Sequence, residues 1–178
     1  MKIGTRSVLF GAHCFFLHPW FVAAAWRKLY GFPRDPRLWV AFFVHDLGYL
    51  GKPNMDGAEG ERHVEFGARL MRFLFGAAWG EFTLYHSRYY AKLHGRPFSR
   101  LCVADKFSIS LEPAWLYLPR VLLSGEAHEY MTRDERQHSR FWVAEREDPR
   151  KWFHNVQQWC RAWALEHRDE KPDTWTVI

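Results

Sequence analysis

The chain is poor in cysteine and lacks several patterns that identify common protein classes. Its three cysteines, at positions 14, 102 and 160, are odd in number and widely spaced. They form neither a disulfide framework nor a CxxC metal motif, which is typical of a reducing compartment. The sequence contains no internal repeat, low-complexity tract or Ser/Gly linker, and its glycine-containing stretch GYLGKPNMDG lacks the P-loop spacing. We therefore predict a cytoplasmic protein with neither a disulfide scaffold nor a P-loop.

Charged residues are missing from the twenty residues 7–26, a run long enough to cross a bilayer. The run contains His13, His18 and Pro19, so we predict a buried helix and no membrane partner. The net charge of the whole chain is +5, which favours anionic partners in general. The basic residues are too spread out to predict nucleic-acid binding. The oligomeric state stays open, a homo-oligomer included.

The hydrophobic pattern is helical along the whole chain. Apolar residues recur at intervals of three and four, and strand-like alternation never lasts. A length of 178 residues with 48% hydrophobic residues suits one domain with a sizeable core. We predict an all-α fold, a single-domain helical bundle over residues 1–166, followed by a charged C-terminal tail at 167–178.

Breaker and capping residues divide this pattern into segments. We predict helices over residues 7–30 (bent or restarted at Pro19), 37–47, 58–75, 81–94, 99–111, 133–147 and 150–166, with one or two short helices bracketed by Pro113 and Pro119. The first five of these helices are the ones that carry candidate metal ligands.

An unusual junction lies at the end of the second predicted helix. Seven apolar residues at 38–44 run directly into His45 and Asp46, with Gly48 two residues later. Buried charge is costly unless it is paired. A divalent cation would pair with both side chains, because imidazole and carboxylate are good metal ligands. Taken alone, the dipeptide also fits a polar helix end followed by a glycine stop.

The other candidate ligands come from separate helices. The full set is His18, His45, Asp46, His63, His86 and Asp105. No pair has the i, i+4 spacing of a local zinc motif, so packing of the helices has to assemble the site. Four histidines and two aspartates suit Fe, Mn, Co, Ni or Zn, and Mg is compatible. Six ligands exceed what one catalytic zinc needs, and they suit two divalent cations bridged by Asp46.

The order of these ligands resembles the HD-domain superfamily of metal-dependent phosphohydrolases. HPWFVAAAW resembles the helix of the first histidine, VHDLG the central motif and CVADK the closing aspartate motif. The resemblance covers about residues 14–112. The six-ligand set is most similar to the two-metal branches, which include dinucleoside-polyphosphate hydrolases and cyclic-dinucleotide phosphodiesterases.

This resemblance implies a hydrolase with a binuclear metal site and a metal-activated water as the nucleophile. Asp46 would be the catalytic residue that bridges the metals. The implied substrate is a phosphoester or phosphoanhydride, in a nucleotide or dinucleotide. This chain departs from two branches of the superfamily. Tyr49 stands where the cyclic-dinucleotide branch has a lysine. The nucleotidase branch has a glutamate three or four residues after the aspartate, and these positions are Tyr49 and Leu50 here. The substrate itself is therefore not indicated.

Basic residues near the ligands are the candidates for binding a small anionic, phosphorylated substrate. They are Arg88, Lys92, Lys52, Arg62 and Lys106. Arg88 and Lys92 are the preferred pair, because i, i+4 spacing places them on one helix face. For any single one of them a solvated helix face is the better explanation of the charge, and only as a group beside the ligands do they indicate phosphate binding.

Two other functions fit the same ligand set. Some HD-superfamily members are di-iron oxygenases, here with a phosphorylated or phosphonate small molecule as the expected substrate. A non-catalytic binding module stabilised by metal is the third alternative. His13 and the remaining histidines are predicted to make ordinary hydrogen bonds or to lie on the surface.

Overall fold

The structure is a computed structural model that describes residues 1–136 and 148–169. Within these ranges every regular element is a helix, which confirms the all-α prediction. The helices are α1 (Ile3–Phe10), α2 (His18–Tyr30), α3 (Pro36–Val44), α4 (Ala58–Glu61), α5 (Val64–Phe75), α6 (Ala77–Leu84), α7 (Arg88–Leu93), α8 (Arg100–Ile109), α9 (Ala114–Ser124), α10 (Glu126–Arg136) and α11 (Pro149–Glu166), with a 3-10 turn at Leu47–Tyr49.

Local chemistry sets several helix ends. The Asp35 carboxylate accepts from the backbone N–H of Arg37 and caps α3, and Pro36 occupies the first turn, where it displaces no helical hydrogen bond. Gly76 ends α5 and adopts a φ of +90°, which a residue with a Cβ adopts only at a cost. Both caps depend on residues next to the helix end and not on tertiary contacts.

Three predicted helices are in fact pairs of helices. The predicted helix over 7–30 is interrupted between Phe10 and His18, and Pro19 lies in the first turn of α2. His63 separates α4 from α5, and His86 lies between α6 and α7. The predictions of continuous helices over 58–75 and 81–94 are therefore wrong. Apolar periodicity carries across such a break, because the same side of the chain stays buried on both sides of it.

The C-terminal part also differs from the prediction. The polar helix expected over 133–147 begins earlier, because α10 starts at Glu126, while residues 137–147 lie outside the described residues. Pro119 lies inside α9 instead of ending a short helix. The final helix, predicted over 150–166, agrees with α11. Residues 170–178 lie outside the described residues, so the C-terminal tail stays a prediction.

The main hydrophobic cluster is rich in aromatic residues and joins helices that are distant in sequence. Trp26 of α2 contacts the rings of Phe42 of α3 and Phe82 of α6, and Met71 of α5 and Leu101 of α8 are fully buried in the same cluster. Burying a side chain of this size contributes about 1.5–3 kcal/mol. The cluster therefore fixes the relative positions of the helices that carry the polar site.

The uncharged run at 7–26 is divided between α1, a turn and the start of α2. Val8, Val22 and Trp26 within or next to it are buried in the protein's own core. Among the described residues, no helix combines the length and the hydrophobicity needed to cross a membrane.

Candidate metal centre

Six polar side chains from separate elements converge inside the bundle. They are His18 at the start of α2, His45 and Asp46 directly after α3, His63 between α4 and α5, His86 between α6 and α7, and Asp105 in α8. Five of them are buried, and the side chain of Asp105 is the most accessible at 17% exposure. All of them except Asp105 lie at helix ends. There the backbone departs from helical geometry, so a side chain can point in a direction that the helical repeat does not allow.

Two glycines allow the chain segments to approach closely enough. A Cβ atom on Gly48 would lie 1.8 Å from the carbonyl oxygen of His63. A Cβ atom on Gly67 would lie 2.6 Å from the carbonyl oxygen of Val44. Only glycine fits at such separations. The glycine after the His-Asp pair is thus needed for space and not merely as a helix stop.

The first group of ligand atoms surrounds one oxygen of Asp46. His18 Nε2 lies 3.3 Å from Asp46 Oδ2 and 3.1 Å from Asp105 Oδ1. His45 Nε2 lies 3.0 Å from Asp46 Oδ2. These four residues form a group whose ligand atoms all lie within 4.8 Å of one another.

The second group surrounds the other oxygen of Asp46. His63 Nε2 and His86 Nε2 are 3.2 Å apart and lie 3.6 Å and 3.4 Å from Asp46 Oδ1. Asp46 therefore directs Oδ2 at one set of imidazoles and Oδ1 at the other. A carboxylate with this placement is able to bridge two cations.

Backbone carbonyls fix the orientation of three imidazoles. His45 Nδ1 lies 3.0 Å from the carbonyl oxygen of Phe42, His63 Nδ1 lies 2.7 Å from that of Gly60, and His86 Nδ1 lies 2.6 Å from that of Thr83. Each acceptor is three residues earlier, at the end of a helix where carbonyls lack helical partners. Because a carbonyl only accepts, Nδ1 carries a proton in all three rings, which leaves Nε2 as the atom that would bind a metal.

The charges of the site favour cation binding. Burial raises the pKa of Asp46, but the histidines around it outweigh this and hold the pKa well below its ordinary value. Burial likewise raises the pKa of Asp105, and its contacts with His18 and His45 lower it well below that value. Burial and the neighbouring His86 lower the pKa of His63 to about 3. The carboxylates are therefore ionised and His63 is a neutral ligand at neutral pH.

His45 differs from His63 because it faces the carboxylates. Burial lowers the pKa of His45, but Asp46 and Asp105 outweigh it and raise the pKa to about 10. In the metal-free protein His45 is therefore protonated at neutral pH. A metal ion has to displace this proton before Nε2 becomes a ligand.

Unpartnered buried atoms support a cation at this position. Asp46 Oδ2 lies 3.3 Å from His18 Nε2 and 3.0 Å from His45 Nε2, but none of these three buried atoms forms a hydrogen bond of normal geometry among the described residues. A buried polar atom without a partner costs about 1–3 kcal/mol. A divalent cation would satisfy all three atoms, and its preferred donors are imidazole nitrogen and carboxylate oxygen. The residues present therefore fit metal ions, and their number and identity stay predictions.

The predicted substrate-binding residues do not all lie together. Arg88 places its guanidinium 5.5 Å and 5.2 Å from the ring centroids of Trp159 and Trp163. Lys106 follows Asp105 on α8. Burial lowers the pKa of Lys106, but Asp105 raises it and the net shift is upward. Arg88 is close enough to lower that pKa in turn, so Arg88 and Lys106 lie near each other.

The other three basic residues have different surroundings. Arg62 is exposed and forms an ion pair with Glu65, with Nε 2.9 Å from Oε1. Lys52 contributes its carbonyl oxygen to a hydrogen bond with the N–H of Gly4. Lys92 is exposed on α7. None of these contacts joins them to the six ligands, so their role in substrate binding stays a prediction.

Two residues of the site were not among the predicted functional residues. Tyr49 is buried and stacks on His63, with ring centroids 3.9 Å apart. His13 lies between the Tyr49 and His18 rings, at 4.8 Å and 5.6 Å. The available signal for His13 was a histidine inside an uncharged, buried run. That signal does not separate a site residue from an ordinary buried histidine.

No protein-family model, curated protein or solved structure matches the chain. The resemblance to the HD superfamily therefore rests on the ligand residues and their order in the sequence.

Proposed function

We propose that this chain is a metal-dependent hydrolase of phosphoesters or phosphoanhydrides, of the HD-domain type. The observation that carries this proposal is the position of Asp46, whose two oxygens face separate groups of histidines. A structural site closes around one ion, whereas this arrangement suits two ions that share one carboxylate. We take a nucleotide or dinucleotide as the substrate class because both carry the required phosphate linkage.

The chain's own residues would divide the work as follows. His18, His45 and Asp105 would hold one cation, His63 and His86 would hold the second, and Asp46 would contribute one oxygen to each group. Bound divalent cations would lower the pKa of a water molecule and neutralise phosphate charge. Burial of the imidazoles excludes bulk water and so keeps these electrostatic effects strong.

Substrate binding would occur on the side of Asp105, where the site is most accessible. Lys106 is close enough to Asp105 and to Arg88 for both to shift its pKa, so Lys106 and Arg88 are the basic residues that we assign to this side of the site. Arginine suits bidentate phosphate contacts, and lysine supplies a point charge. These two residues are therefore our preferred phosphate-binding pair.

The test is hydrolysis by the metal-depleted protein after reconstitution with Mn²⁺, Co²⁺, Zn²⁺ or Mg²⁺. Bis(p-nitrophenyl) phosphate and p-nitrophenyl phosphate distinguish diesterase from monoesterase activity, and a panel of nucleotides and dinucleotides follows. Asp46→Asn is the matched inactive control, because it keeps the shape of the side chain and removes the charge. The proposal predicts product release that depends on metal and on Asp46.

A di-iron oxygenase would give a different result in the same preparation. It would be purified with two irons per chain, show a visible absorption band in air and consume O₂ with a phosphorylated or phosphonate compound. Metal binding without either activity would instead favour the binding module. Each of these results would contradict the hydrolase proposal.

A further inference from the structure

His13 lies beside the metal centre without belonging to either group of ligands. It occupies the turn between α1 and α2, five residues before His18. Its ring contacts that of His18 and that of Tyr49, and Tyr49 stacks on His63. His13 is therefore adjacent to both halves of the site.

A hydrogen-bond chain determines which nitrogen of His13 carries the proton. Ser7 Oγ lies 2.8 Å from His13 Nδ1, and the Ser7 hydroxyl donates to Glu126 Oε1 at 2.6 Å. The single proton of that hydroxyl is committed to the carboxylate, so Ser7 Oγ accepts the hydrogen bond from His13. Nδ1 therefore carries the proton, and Nε2 keeps its lone pair.

Several hydrogen bonds hold Glu126, the first member of the series Glu126–Ser7–His13, in a fixed position. The residue is fully buried and comes from α10, 119 positions after Ser7. Its carboxylate also accepts from the backbone N–H of Ala12 at 2.9 Å, from the Ser124 hydroxyl, and from the Tyr130 hydroxyl at 3.2 Å. Hydrogen bonds of this number favour the charged form of a carboxylate and restrict its movement.

A small cavity borders His13. Its volume is about 10 Å³, and it is lined by His13, His18, His45 and Asp46 together with six apolar residues. This volume is close to the minimum that one water molecule needs. No hydrogen bond reaches His13 Nε2 from the part of the chain that the structure describes, so this atom has a lone pair to offer to such a water.

We propose that His13 accepts a hydrogen bond from a water molecule in this cavity and orients it beside the metal centre, with Ser7 and Glu126 as positioning residues. The proposal rests on the proposed hydrolase function, in which an oriented water is the nucleophile. Its orientation by a fixed lone pair lowers the entropic part of the barrier, so the effect belongs to kcat and not to substrate affinity.

If the hydrogen bonds among His13, Ser7 and Glu126 only stabilise the fold, replacing these residues should have different effects. Glu126 ties α10 to the turn that contains Ala12, so its loss destabilises the fold whether or not His13 has a function. In that case the activity of the folded fraction is unchanged when His13 is replaced. Measurements on His13 itself therefore decide, and Ser7→Ala gives a milder change than Glu126→Gln.

The first experiment measures the tautomer without any reaction. Zinc-loaded protein with ¹⁵N-labelled histidine is studied by long-range ¹H–¹⁵N correlation, and His13→Gln assigns the His13 signals. We expect the Nδ1–H tautomer in the wild type and a shift toward Nε2–H in Ser7→Ala and Glu126→Gln. A wild-type Nε2–H tautomer, or a metal-bound Nε2, would overturn the proposal.

The second experiment compares kinetics and metal content. His13→Ala should keep the wild-type metal count, lower kcat for bis(p-nitrophenyl) phosphate by about 10²-fold and change KM little. His154→Ala, at an exposed position of α11, should behave as the wild type. Unchanged kcat in His13→Ala, or a lost metal, would overturn the role of His13. A wild type that binds metal but hydrolyses nothing contradicts the hydrolase function itself, and the tautomer measurement then decides on His13 alone.

Discussion

Tyr49 and His63 stack with their ring planes 9° apart and their centroids 3.9 Å apart. The stack covers one face of His63, and the hydrogen bond to Gly60 fixes the edge that carries Nδ1. Together they leave His63 Nε2 directed at Asp46 and His86. A residue outside the predicted ligand set thus helps to orient one of the ligands.

Replacement of Tyr49 should reveal this role. Tyr49→Ala removes a buried ring, and we expect a loss of about 3–5 kcal/mol in the free energy of unfolding. It should also weaken the binding of a metal at His63 and His86 more than of one at His18 and His45. Tyr49→Phe keeps the stack and should retain the metal count. Calorimetric metal titration of the two variants checks this, and equal metal affinities in both would contradict it.

The number of metals distinguishes the binuclear site from a mononuclear one. We expect two metals per chain in the wild type and one in His63→Ala, because the first group of ligands is intact in that variant. The second cation acts mostly on the transition state, so kcat should fall more than KM rises. Elemental analysis at saturating metal measures the count. A wild-type count of one would refute the binuclear prediction.

Stability of the metal-free protein should depend on pH in two windows. His63 has its pKa lowered from 6.5 to about 3, so between these values the unfolded chain binds a proton that the folded chain does not, and stability falls as pH falls. His45 has its pKa raised from 6.5 to about 10, so its contribution is complete below 6.5 and is lost as pH rises through 10. These two groups together place maximum stability near pH 6.5.

Thermal unfolding in the presence of a chelator, from pH 4 to pH 10, measures this profile. His63→Gln should flatten the acid side, and the exposed His154→Gln serves as its control. Metal affinity should rise with pH over the same range, because binding displaces the His45 proton. A profile that His63→Gln leaves unchanged would show that His63 is not the group responsible.

Gly48 should tolerate no side chain. A Cβ atom at this position would lie 1.8 Å from the His63 carbonyl oxygen, so Gly48→Ala has to shift the backbone next to a predicted ligand. We expect loss of stability and of metal binding. Gly51→Ala is the matched control in the same connection: Gly51 has a φ of +81° and open space around it. That variant should cost about 1–2 kcal/mol from backbone strain and keep both metals.

The basic residues Arg88 and Lys92 of α7 and Lys106 of α8 should differ in their contribution to substrate binding. Arg88→Ala should raise KM for an anionic substrate and leave the metal count intact, and Lys106→Ala should do the same. Lys92→Ala tests the exposed position four residues from Arg88 on the same helix. A similar increase in KM for Lys92→Ala would extend the binding surface along α7. Steady-state kinetics that are unchanged in all three variants would show that this charge is only solvated.

Much of the site was predictable because the types of its residues already indicate metal binding. Four histidines and two aspartates among apolar helices predicted a buried polar group, and the structure brings these six residues together. The all-α class followed from apolar periodicity for the same reason, since side-chain polarity decides which helix face is buried.

Periodicity could not locate the breaks at His63 and His86. At these positions the imidazole forms a hydrogen bond with a carbonyl three residues earlier, and this bond competes with continuation of the helix. Whether it forms depends on the packing of the ring against partners from other helices, such as Tyr49.

The division of the ligands was decided by the tertiary structure alone. The sequence determined that Asp46 follows a buried helix, but not that its two oxygens would face different histidines. It determined that His13 lies in an uncharged run, but not that Glu126, from α10, would reach it through Ser7. Contacts between residues 23 to 119 positions apart depend on how the apolar faces of the helices pack, and no local pattern in the chain records that packing.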